Sequence, residues 1–103
     1  MKAYLALAAL ASLPLSAAAT TVADYCDTFA DAAAATMVAR QIGARPSELY
    51  QIAAESGLTF RDAANALVDS AMAPPIYASD SDKKAAVYVF GQRAFDGCLR
   101  KFW

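Results

Sequence analysis

The sequence predicts an all-α protein, a small four-helix up-down bundle closed by one disulfide between its first and last helices. Three observations carry this. Apolar residues recur at helical spacing from Val22 onward, with no alternation of the kind a strand needs. Glycine and proline mark short links between the periodic stretches. The two cysteines, Cys26 and Cys98, lie near the start of the first helix and near the end of the last. Short links favour up-down-up-down order, which brings those two ends together.

The N-terminus reads as a leader rather than as part of the fold. Met1-Lys2 is a short positive start, and Ala3 to Leu15 is an apolar run broken only by Ser12 and Pro14. Small residues at Ala17 and Ala19 then suit cleavage after Ala19, the pattern of a secretory signal peptide. The run falls short of the roughly 20 apolar residues a membrane span needs. Residues 1–19 are therefore assigned to the signal and 20–103 to a single helical domain.

The first helix is expected from Val22 to Ile42. Thr20 or Thr21 supplies a cap, and Asp24 and Asp27 suit the positive end of the helix dipole. Cys26, Phe29, Ala33, Met37 and Arg40 share one face, and Gly43 stands where a helix end needs positive φ. Pro46 opens a second helix, to about Glu55, that buries Leu49, Ile52 and Ala53. Ser56-Gly57 ends it. Thr59 caps a third helix whose apolar face is Phe60, Ala64, Leu67, Val68 and Ala71, and Pro74-Pro75 stops it. After an extended link, Asp80-Ser81-Asp82 starts the last helix, which runs to about Lys101. Val87, Phe90, Gly91, Ala94 and Cys98 share a face there, and close helix packing would account for glycine at position 91.

Composition narrows the function. Removing Lys2 from nine basic residues leaves eight against ten acidic ones, a net charge of −2. That balance argues against nucleic acid and gives no pull toward an anionic membrane surface. An even pair of cysteines in an exported chain reads as a disulfide, with two separate thiols as the alternative. The chain has no histidine. With both cysteines bridged it also lacks a thiolate, and so the usual general base, nucleophile and zinc ligands. Of the five mature serines, Ser47, Ser79 and Ser81 sit at helix starts and Ser56 at a helix end, where capping is the ordinary role; Ser70 sits inside the third helix. No phosphate loop or calcium loop is present. The expectation is a non-enzyme with no cofactor and no metal.

Candidate structural or binding residues are Arg40, Gln41, Tyr88 and Trp103, beside the Cys26–Cys98 pair. Arg40 lies on the apolar stripe, so its stem is expected to be partly buried and its head paired, with Glu48 or Glu55 as the expected acids or a backbone carbonyl in their place. Tyr50, Tyr77, Tyr88, Phe102 and Trp103 are more aromatic surface than the core requires, unless they simply cover a small core. Exposed together, they would mark a partner surface.

Cys26, the Met37-Val38-Ala39-Arg40-Gln41-Ile42-Gly43 element, Leu67-Val68, Ala71, Pro74, Lys84, Val87, Phe90, Phe95 and Cys98 together form a pattern. It resembles a family of small exported helical proteins of Gram-negative bacteria and their phages. The resemblance covers nearly the whole mature chain and implies a helical fold and a periplasmic or secreted location, but no activity. The chain differs from that pattern at Met72, where the family has an aromatic, and in ending Phe102-Trp103. The function expected is a protein-binding or inhibitory module acting on another envelope protein, with no membrane span in the mature form. The alternatives are a chaperone-like envelope stress protein, loosely comparable to the periplasmic acid-stress chaperones but without their motifs, and a phage-related envelope interference factor. With carboxylates and no histidine, an acid trigger would act near about pH 4.

Overall fold

The computed structural model describes residues 21–56 and 61–102, and these form four helices and no strand. The helices are α1 (Val22–Gln41), α2 (Pro46–Glu55), α3 (Arg61–Ala71) and α4 (Asp80–Phe102). Residues 1–20, where a leader is expected, the stretch 57–60 with its expected Thr59 cap, and Trp103 lie outside the described residues, as does the side chain of Phe102.

α1 starts at Thr21, whose hydroxyl accepts the Asp24 N–H at 3.0 Å while the Asp24 carboxylate accepts the Thr21 N–H at 3.2 Å. This reciprocal pair satisfies two donors that a helix start otherwise leaves unmade. The other end closes on Gly43, at φ +91°. Gly43 N–H donates to the Arg40 carbonyl and Ala44 N–H to the Ala39 carbonyl, at 3.1 and 2.9 Å. That double closure requires a left-handed residue, and Ala44 then folds against the Ala39 cluster. Gly43→Ala should therefore cost about 1–2 kcal/mol, the strain of a Cβ in that region; chemical denaturation measures it.

α1 and α4 are antiparallel neighbours along their length. The Cys26–Cys98 disulfide joins the start of one to the end of the other, with Cα atoms 5.6 Å apart. At the far end the Lys83 ammonium donates to the Gln41 carbonyl at 2.9 Å, closing the C-terminus of α1 with a cation. Midway, a Cβ placed on Gly91 would stand 3.7 Å from both the Ala30 carbonyl oxygen and the Ala34 Cβ. That is ordinary contact, so close packing does not demand glycine at this position. Gly91→Ala should raise stability by up to about 1 kcal/mol through helix propensity alone, read as an increase in Tm.

α2 and α3 form a shorter pair seated on α1. Leu49 and Ala53 from α2 meet Ala64 and Val68 from α3 around Ala39. Leu67 meets Ala32 and Ala33, with Phe29 of α1 and Phe90 and Ala94 of α4 packed against them. The ten residues of α2 span only about 15 Å, half the length of α1, so this pair cannot cover the α1–α4 layer from end to end. The consequence shows in α4: Cys98 is its only buried side chain among the described residues, and the rest of its apolar stripe is half-exposed.

Candidate functional site

The last turn of α1 carries two of the residues singled out in the sequence, and the structure uses both to hold the link between α3 and α4. The Arg40 guanidinium donates through Nη2 to the Pro74 carbonyl at 3.2 Å and to the Met72 carbonyl at 3.4 Å. Gln41 is buried, and its amide works in both directions. Its nitrogen donates to the Pro75 carbonyl at 3.0 Å, and its oxygen accepts the Tyr77 N–H at 2.9 Å. A link containing Pro74 and Pro75 has too few N–H groups to pair with its own carbonyls. The two side chains take the place of a neighbouring strand. Met37, fully buried one turn earlier, receives a further contact from the Gln41 nitrogen at 3.5 Å to its sulfur.

The ion pair expected for Arg40 with Glu48 or Glu55 does not form. Glu48 instead accepts from the Arg45 N–H and guanidinium, at 3.0 and 3.2 Å, and Glu55 accepts from Gln51. Arg40 instead reaches the link, where its Nη2 meets two carbonyl oxygens while its Nε is buried without a hydrogen-bond partner. The Arg45 N–H, then the Arg45 side chain, hold the Glu48 carboxyl below its ordinary value. That exposed cap therefore contributes above the ordinary glutamate range and is lost as pH falls through the lowered value.

The aromatics separate into different places. Tyr50 of α2 donates its hydroxyl to Asp69 of α3 at 2.8 Å, which ties the short pair together and holds the phenol above its ordinary value. Tyr77 is half-buried beside the link. Tyr88 is 69 % exposed, between the two long helices.

Tyr88 belongs to a groove between α1 and α4 of about 670 Å³. Ala30, Ala34 and Gly91 line its middle, and Val38, Ile42, Val87, Tyr88 and Phe95 add apolar surface. Ile42 is 77 % and Val38 47 % exposed. Asp27 and Asp31 lie on the part of the groove nearest the disulfide, and Lys83 and Lys84 on the part nearest the link. The antiparallel register makes these opposite ends.

Sequence reasoning found Tyr88 but not this groove. The signal was a second heptad stripe on each helix, Asp27, Asp31, Ala34 and Val38 on α1 and Lys84, Tyr88, Gly91 and Phe95 on α4. It was masked by the stronger stripe through Cys26, Ala33 and Met37. Among the described residues no three acidic, cysteine or histidine side chains come together as a metal site. No described helix is long and apolar enough to cross a membrane. No protein-family model, curated protein or solved structure matches the chain.

Proposed function

We propose that the protein is a small exported, non-enzymatic helical module that binds another protein, and that the α1–α4 groove is its contact surface. The observation that carries this reading is the large apolar groove left open on a helix pair that is otherwise stapled and capped. Exposed apolar patches of this kind mark protein contact sites. The Cys26–Cys98 bond fits an oxidising compartment, the periplasm or the exterior, reached through the leader at residues 1–19. The reading keeps the up-down order expected from the short links, which the antiparallel α1 and α4 support. It also keeps the resemblance to the exported helical proteins of Gram-negative bacteria and their phages.

Arg40 and Gln41 take a structural part in this proposal, because the Arg40 Nη2 and both ends of the Gln41 amide are engaged by the link. A stress-chaperone reading would need a trigger to uncover apolar surface; Ile42 and Tyr88 are already uncovered, which favours constitutive binding.

The test is a photo-crosslinking amino acid placed at position 88 and, as a control, at exposed position 51 of α2, in cells exporting the protein. Discrete protein adducts are expected from 88 and not from 51. Equal labelling from both positions would refute the groove as a contact surface. Intact mass of the exported protein should begin near Thr20 with both cysteines oxidised, and retention of Met1 would refute export through cleavage.

A further inference from the structure

We infer that the groove is the seam of a homodimer, in which the α1–α4 layers of two copies pack face to face about a two-fold axis. The inference rests on the reading of the groove as a protein contact surface and names its occupant as a second copy of this chain.

The argument starts from charge. Asp27 and Asp31 mark one end of the groove and Lys83 and Lys84 the other, separated by about ten or more helical positions on α1, roughly 15–20 Å. A two-fold axis that crosses the groove at right angles reverses its direction. The acidic end of each copy then lies over the basic end of the other, and two favourable pairings form from one surface. Such self-complementarity is what an isologous interface requires. The reversed pairing also leaves no end of the groove facing a like charge, as two copies aligned in the same direction would.

Apolar placement agrees. Ala34 and Gly91 stand near the middle of the groove, where the axis would pass and where two layers approach most closely. From that centre, Val38 and Ile42 lie toward the lysine end and Phe95 toward the aspartate end. Reversal sets Phe95 of one copy across from Val38 and Ile42 of the other, so aromatic and aliphatic surfaces meet twice. The heptad spacing of Asp31, Ala34 and Val38 on α1 and of Lys84, Tyr88, Gly91 and Phe95 on α4 is the spacing that lets antiparallel helix pairs form a four-helix core. In this assembly α1 and α4 would be covered on both sides, by the α2–α3 pair on one and by the second copy on the other.

The experiment is sedimentation equilibrium of the oxidised, leader-free chain over a concentration series, at low and high salt. A monomer–dimer equilibrium is expected, weaker at high salt. Lys84→Glu and Asp31→Lys should each weaken self-association about tenfold or more, since each sets like charges against each other. An equimolar mixture of the two variants should associate again, because only the unlike pair restores both contacts. Asp62→Lys, on the far layer, serves as the control and should leave association unchanged. Circular dichroism of each variant separates loss of the dimer from loss of the fold. A wild-type chain that stays monomeric throughout overturns the inference, as does a dimer that neither charge variant weakens or a mixture that associates no better than its components. The failure of the dimer is distinguishable from failure of the groove itself: a monomer that still gives position-88 adducts with other proteins retains the contact surface and removes the second copy from it.

Discussion

Reduction of the Cys26–Cys98 bond, or Cys98→Ser, is expected to lower Tm by about 15–30 °C. The bond closes a stretch with a sequence separation of 72 residues. The chain-entropy model assigns a loop of that size about 4 kcal/mol of unfolded-state constraint. In a domain this small each kcal/mol shifts Tm by about 4–8 °C. The packing makes the dependence sharper. α4 depends mainly on α1 for its burial, and Cys98 is its one buried side chain among the described residues. Without the bond, the disulfide end of α4 keeps only half-buried contacts such as Ala94 against the Leu67 cluster. Far-ultraviolet circular dichroism should still report much of the helix below the new Tm, because the α1 cap, the Gly43 closure and the α2–α3 pair do not involve the cysteines. A scanning melt with and without reductant measures both quantities. A shift under 5 °C would mean that the α1–α4 layer holds without its staple.

Gln41→Ala is expected to cost about 2–3 kcal/mol, and Arg40→Ala about 1–3 kcal/mol. Removing the Gln41 amide strands the Pro75 carbonyl and the Tyr77 N–H together, at a site where neither has a backbone partner from the link. It also opens a space beside Met37 in the core. Removing the Arg40 head releases the Met72 and Pro74 carbonyls, which lie part-buried at the same link. Gln41→Glu is the sharper variant. It preserves shape and can still accept from Tyr77, but near neutral pH its carboxylate faces the Pro75 carbonyl where a donor stood. It should destabilise at least as much as alanine and recover part of the loss in acid, as the carboxyl gains a proton to donate. Denaturant melts across pH measure this. Equal stability of Gln41→Glu and wild type at neutral pH would show that the amide nitrogen carries no load.

Local chemistry made most of the secondary structure legible in the sequence. Thr21 with Asp24, Gly43, Pro46 and the Pro74-Pro75 stop are signals that act within a few residues, and the helix bounds follow them to within a residue or two. The Cys26–Cys98 pairing was legible because a chain with only two cysteines has one intramolecular bond to make. Arg40 was legible as a buried-stem cation, but its partner was not. Carbonyl oxygens are present at every residue, so composition and spacing do not say which of them a guanidinium will meet. Gln41 shows the same limit, since its role depends on a proline-rich link more than 30 residues away being folded back beside it.

By itself, then, the sequence determined the helices, their ends and the staple, because periodicity, capping and cysteine count are properties of short stretches or of composition. Tertiary structure alone decided which apolar stripe stays open. α1 carries two stripes, one through Ala33 and Met37, which the sequence marks as core, and a weaker one through Ala34 and Val38. Which one is covered depends on the length and seat of the α2–α3 pair. That pair packs around Ala39 and against Ala32 and Ala33, leaving Val38, Ile42 and Tyr88 at the surface. The choice is made by where two short helices fit against two long ones, a steric outcome that no local pattern in the chain encodes.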